Sequence, residues 1–198
     1  MANTKRNRNT LKKQNVEDKA LPILKEVFEN TNRWLQFAEA KNGALIGVNG
    51  LFLFKSIDYL FEVINGKITV NIFIVGFMTA VFFTSTIISL ISFLPNTSVT
   101  EETAEDISRN NNSVECGVLI FFEEINNYKN QSAYLRDIYK YYLNKNVKIK
   151  NLNKIELDYA KEILINSRIT SYKYRLFKLA IRLNLIAIVV FFIFLIIA

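Results

Sequence analysis

Residues 68–94 read ITVNIFIVGFMTAVFFTSTIISLISFL, without a single Asp, Glu, Lys or Arg. A helix crossing the hydrocarbon core of a bilayer needs about 20 apolar residues, and this run is longer. Its Thr and Ser hydroxyls are tolerable in lipid because they bond back to helix carbonyls. Pro95 follows and supplies a stop. A transmembrane helix is therefore expected over 68–94, and the rest of the chain is read outward from it.

Two other runs share this character. Residues 183–198, LNLIAIVVFFIFLIIA, show no polar face between Ile186 and Ile197, which argues against a helix half-buried in a soluble core. The run is short, but Lys178 and Arg182 can snorkel toward headgroups, so the span is expected over 178–198. The third run, NGALIGVNGLFLFKSIDYLF over 42–61, carries Gly43, Gly47 and Gly50 together with Lys55 and Asp58. Gly43 and Gly47 have the spacing that lets a second helix approach closely. Lys55 and Asp58 are three apart and share a helix face, where they pair or reach the far interface. The alternative is a polar lining for a water-filled path.

Composition removes whole classes of chemistry. The chain has 198 residues, 51% of them hydrophobic, with net charge +7, one cysteine (Cys116) and no histidine. Without histidine there is no Ser-His-Asp triad and no histidine metal site. One cysteine makes neither a disulfide framework nor a thiolate zinc cluster. No phosphate-binding glycine loop, dinucleotide fingerprint or nucleophile elbow occurs. Glu123 and Glu124 are adjacent, so they do not share a helix face as a catalytic pair would. An enzyme therefore has little support, and no catalytic or metal-binding residue is expected. Two prolines and six glycines favour long helices over a turn-rich β fold, and the length suggests one domain.

Basic residues set the expected orientation. Nine precede the first span, only Lys67 lies between the first and second, and fourteen run from Arg109 through Arg182. Basic residues stay in the cytoplasm. The N-terminus and central region are thus expected in the cytoplasm, the loop 63–67 outside, and the C-terminus periplasmic or extracellular. The first 41 residues hold no membrane-like run, so no secretory signal is expected.

Residues 1–15 (MANTKRNRNTLKKQN) have little to bury and read as a disordered basic tail. The tail can touch anionic lipid. Nucleic acid or an oligonucleotide stays open as a partner, although no aromatic residue is interleaved there to stack on bases. From Val16 a helical stripe begins: Ala20, Leu24, Val27, Phe28, Thr31, Trp34, Leu35 and Ala38. Pro22 suits its first turn. With no breaker before Gly43, one rod is expected over 16–62, entering the membrane and able to act as a lever.

After Leu94 comes an acidic, Asn-rich loop with at most a helical turn over 101–107. Residues 118–122 (VLIFF) are too short to span and are expected as a short strand or the start of a buried helix. A helix is expected over 132–143 with Tyr134, Leu135, Ile138 and Tyr142 on its buried side. The last helix is expected from about Leu152 through Tyr159, Ile163, Asn166, Ile169, Lys173 and Leu176 into the final span. Asn166 and Lys173 fall on the apolar stripe, where polar groups need partners; a helix or subunit contact and a ligand are both open. In the cationic set Arg168, Lys173, Arg175, Lys178 and Arg182, membrane anchoring accounts for the last two. Arg168 and Lys173 are the better candidates for an anion. Cytoplasmic helices are thereby expected over 95–177. The fold class is an all-α membrane protein: three transmembrane helices with long cytoplasmic helical extensions forming a helical cytoplasmic bundle.

Two motifs together resemble a known family. The first is Trp34-x-x-x-Ala38-Glu39-x-Lys41-x-x-x-Leu45-x-x-x-Asn49-Gly50. The second is Leu119-Ile120-Phe121-Phe122, then Tyr134-Leu135, then Asn166-Ser167-x-Ile169-x-x-x-Lys173-Tyr174-x-Leu176 leading into an apolar helix. In order and spacing they resemble the Pycsar effector family, the PycTM-like membrane proteins of bacterial antiphage defence. The family usually has Asp where this chain has Glu39.

The resemblance implies a partner nucleotide cyclase or nucleotidyltransferase. It also implies a nucleotide second messenger as regulatory ligand, either a cyclic mononucleotide or an oligonucleotide, and permeabilisation of the inner membrane. By position it points to Trp34, Lys41, Asn49, Asn166, Lys173 and Tyr174. With Arg168 from the cationic set, Lys41, Lys173 and Tyr174 are the ligand-binding or gating candidates. Asn49, Lys55, Asp58 and Asn166 are the pore or interhelical candidates. A homo-oligomer is expected because three spans make a poor pore. The rival from another class is a membrane scaffold that anchors a cytoplasmic partner.

Overall fold

The computed structural model describes residues 20–68, 70–94 and 118–197, with side chains as far as 193. The basic tail, the stop at Pro95 and the turn over 101–107 lie outside the described residues. Five α-helices make up the described chain: α1 (Ala20–Ile64), α2 (Ile72–Ile91), α3 (Phe122–Ile125), α4 (Gln131–Tyr142) and α5 (Lys154–Ile197), with a 3-10 turn at Ile149–Asn151. No strand occurs among the described residues. α1, α2 and α5 are each long and apolar enough to cross a membrane.

The helix ends follow local chemistry. α1 runs two residues beyond the expected 62 because Gly66, at φ +70°, takes the left-handed position that closes a helix. Around it the Lys67 N–H donates to the Glu62 carbonyl (2.9 Å) and the Gly66 N–H to the Val63 carbonyl (3.1 Å). α2 begins at Ile72 rather than Ile68, since the Asn71 side chain accepts from the Phe73 N–H and caps the helix. The resulting 20 residues rise about 30 Å, one hydrocarbon thickness. α4 is capped by Asn130, whose side chain accepts from the Ala133 N–H at 2.8 Å, and Asn144 follows it at φ +50°. Asn is among the few residues that tolerate that conformation.

The chain forms two compact units, Met1–Leu35 with Thr97–Ser171 and Gln36–Asn96 with Tyr172–Ala198. The division falls inside α1 and inside α5, so each helix contributes to both units. The first unit has a core of Leu24, Val27, Leu119, Ile125, Tyr134, Leu135, Ile138 and Ile163 with their neighbours. Residues 118–121 form turns, not a strand, and α3 begins at Phe122. Leu119 and Phe122 are buried while Val118 and Ile120 are exposed. On α4 the expected Tyr142 is exposed and Tyr139 is buried, because Tyr139 has a partner for its hydroxyl in the buried Glu156 (2.8 Å). Tyr134 donates to the Leu119 carbonyl at 2.9 Å, and burial pushes its phenol well above the ordinary range.

The buried face of α5 differs from the expected stripe. Tyr159, Asn166 and Ile169 are half-buried, whereas Ala160, Ile163, Ser167 and Thr170 are buried. Of the large apolar side chains expected on this stripe, Ile163 is buried while Tyr159 and Ile169 lie to its flanks. The small residues mark its line of closest approach, since only they let another backbone come near.

Candidate functional site

The second unit contains the three apolar segments, and its interior is lined with polar side chains. At a 3.5-residue spacing, α1 buries Ala38, Asn42, Leu45 and Asn49, and α2 with its C-cap residue buries Phe82, Ser85, Ser89 and Ser92. α5 buries Lys173, Ala180, Asn184 and Ala187. This repeat keeps one seam of each helix facing its neighbours. In lipid, apolar seams gain little by meeting, so small residues and interhelical hydrogen bonds hold helices together.

The bonds lie at three levels. At the deepest, the Asn184 amide donates to Asn49 Oδ1 (2.6 Å), and Asn49 Nδ2 donates to Ser85 Oγ (2.9 Å). Ser85 in turn donates to the Ala180 carbonyl at 3.1 Å. This relay crosses all three helices. Its last bond reaches the α5 backbone because residue 180 carries only a methyl group. Seven residues before Asn49 and seven after Ser85, Asn42 Nδ2 donates to Ser92 Oγ (2.9 Å) and to the Ala38 carbonyl (3.0 Å). Nearly one turn further back along α1, Lys173 Nζ meets Glu39 Oε1 at 2.7 Å. That ammonium is 8% exposed as a residue and also lies 5.8 Å from the Phe93 ring centre.

Beside this bridge, Lys41 Nζ is 4.3 Å from the Phe37 ring centre, 5.2 Å from Tyr174 and 5.6 Å from Phe177. An ammonium among ring faces is held by their quadrupoles without losing its charge to a carboxylate. The arrangement offers one cation and three π surfaces side by side.

The structure thus brings Lys41 and Tyr174 together, pairs Lys173 with Glu39, and makes Asn49 the centre of the relay. Lys55 and Asp58 lie apart from these, exposed and 3.8 Å from each other, in the i,i+3 pairing expected of them. The remaining candidates belong to the first unit. Asn166 donates to Asn32 Oδ1 at 2.7 Å. Arg168 donates to the carbonyls of Tyr128 and Lys129, both at 3.2 Å, and so ties down the chain just after α3. Trp34 stands edge-on to Phe121 and tilted against Phe122.

Sequence reasoning missed Asn42, Ser85, Ser92 and Asn184. A signal for them existed: each is a hydrogen-bonding side chain inside an otherwise apolar run, and such groups seek partners. Which partner each takes depends on the packing.

The chain matches the family model PycTM, described as the Pycsar effector protein domain, over residues 23–198. No curated protein and no solved structure matches it.

Proposed function

Because the chain belongs to the Pycsar effector family of antiphage defence, we propose that it senses a nucleotide signal and permeabilises the bacterial inner membrane in response. The signal is a cyclic mononucleotide or an oligonucleotide made by a partner nucleotide cyclase or nucleotidyltransferase. The protein itself catalyses nothing. Its N-terminus and central region face the cytoplasm and its C-terminus the periplasm, the orientation that the basic residues favour.

The observation that carries this reading is the cluster of Lys41 with Phe37, Tyr174 and Phe177. A base stacks on an aromatic face, and a phosphate pairs with an ammonium. Both groups are present here, beside the Glu39–Lys173 bridge and at the end of the polar seam. A ligand shifts a conformational equilibrium only by binding the two states unequally. A phosphate at Lys41 also draws on Lys173, and so weakens the bridge in one state and not the other.

The effector acts as a homo-oligomer. Gly47 lies about half a turn round α1 from Ala38 and Leu45, on the face opposite the buried seam. A Cβ at Gly47 or Gly50 would meet nothing within 4 Å. Neither glycine is needed for the protomer's packing, and each costs a helix interior about 1 kcal/mol relative to Ala. A second helix docked on the face that carries Gly47 gives that glycine a use.

The test is membrane integrity in cells expressing the protein, by dye entry and depolarisation, with and without the partner enzyme. Permeability that follows the enzyme's activity, and is lost in Lys41→Ala, supports the reading. Intact membranes in every condition, with the protein confirmed in the membrane, refute it and leave a scaffold.

A further inference from the structure

On the polar seam of the membrane unit, three side-chain oxygens have no hydrogen-bond partner among the described residues: Asn42 Oδ1, Ser89 Oγ and Asn184 Oδ1. Their residues are 0%, 0% and 7% exposed. The amide orientations are dictated by the opposite ends of the groups. Asn42 must turn its NH2 to the Ala38 carbonyl and Ser92, and Asn184 must turn its NH2 to Asn49 Oδ1. Flipping either amide would set oxygen against oxygen. Each therefore presents an acceptor elsewhere, in a place shielded from solvent.

A buried acceptor left without a donor costs about 1–3 kcal/mol, and lipid supplies no donor. Ser89 stands on the same stripe as Ser85 and the C-cap residue Ser92, between the two bonded levels. It lies three residues from Ser92, a rise of about 4.5 Å along the axis. One water, making two hydrogen bonds of about 2.8 Å each, covers that gap. A hard metal cation is the poorer fit, since it takes six or more oxygens and these three are neutral.

We propose that Asn42, Ser89 and Asn184 form an internal hydration site of the membrane unit, occupied by water. The site lies within one three-helix unit, so it requires neither assembly nor a nucleotide, and its failure leaves the proposed function untouched.

The test is water-edited solid-state NMR on the full chain in lipid bilayers with 15N-labelled asparagine and leucine. Magnetisation from water is expected to reach the Asn42 and Asn184 side-chain amides several-fold faster than the Leu45 backbone amide. Ser89→Ala removes one hydroxyl and is expected to slow transfer at Asn42 while leaving the backbone spectrum in place. Transfer at Asn42 as slow as at Leu45 overturns the proposal. Transfer unaffected by Ser89→Ala overturns the assignment of Ser89 to the site. Amide shifts that follow the identity of the metal cation in the buffer, sodium against potassium, overturn water as the occupant.

Discussion

Replacing Asn49 by leucine tests whether hydrogen bonds hold the membrane unit together. Asn49 is fully buried, and Leu is close to it in volume, so packing changes little. The substitution removes two interhelical bonds, to Ser85 at 2.9 Å and from Asn184 at 2.6 Å. Such bonds average about 0.6 kcal/mol in membranes and reach about 1.7 kcal/mol, which makes about 1–3 kcal/mol for the pair. The Asn184 amide is then left buried without its acceptor, which adds to the loss. Ser85 is affected less, since its bond to the Ala180 carbonyl survives.

The assay is reversible unfolding in mixed micelles, with Asn49→Leu, Asn184→Leu and the double variant forming a thermodynamic cycle. Asn49→Leu is expected to lose about 1–3 kcal/mol, with a coupling to Asn184 of about 0.6–1.7 kcal/mol. Membrane insertion should be unchanged, because leucine favours the bilayer. In cells the same variant should lose toxicity. A coupling indistinguishable from zero refutes the relay as a source of stability. Full toxicity in a correctly inserted Asn49→Leu protein refutes its part in the effector's action.

Three further outcomes follow from the geometry. Glu39→Gln should lower the melting temperature more than Lys173→Met does, because the first leaves a buried ammonium without its carboxylate and the second removes the charge; thermal unfolding in detergent ranks the two, and equal losses would contradict this account of the bridge. Arg168→Ala should cost about 1 kcal/mol by freeing two carbonyls, while Lys41→Ala leaves stability near wild type. Nucleotide binding measured by calorimetry should fall for Lys41→Ala and persist for Arg168→Ala, and the reverse pattern moves the ligand to the first unit. Gly47→Ala should stabilise the protomer by about 1 kcal/mol and weaken self-association; analytical ultracentrifugation in detergent showing unchanged association removes this face from the oligomer contact.

Several features were legible residue by residue. Pro22 in the first turn of α1, the unbroken α1 and α5, and the Tyr134, Leu135 and Ile138 face of α4 needed only local pattern and propensity. Tyr142 was misplaced by the same method, because periodicity does not distinguish it from Tyr139 and the buried Glu156 does. The stripe on α5 was displaced for a related reason. Periodicity weights Tyr159 and Ile169 for their size, while close packing selects Ala160, Ser167 and Thr170 for their lack of it. Lys41 and Lys173 were both marked by their charge. Only the fold separates them, giving one a carboxylate and the other three aromatic rings.

By itself the sequence determined which helices are long and apolar enough to cross a bilayer. Transfer of an uncharged apolar helix from water to lipid is a property of that helix alone and needs no knowledge of its neighbours. The tertiary structure decided what the three helices do to one another. Asn49 and Asn184 are 135 positions apart, and nothing in either segment names the other as its partner. A hydrogen bond belongs to two groups at once, and in this seam the pairing is set by which small residues allow the backbones to approach. Ser85 reaches the α5 backbone only because Ala180 leaves room for it.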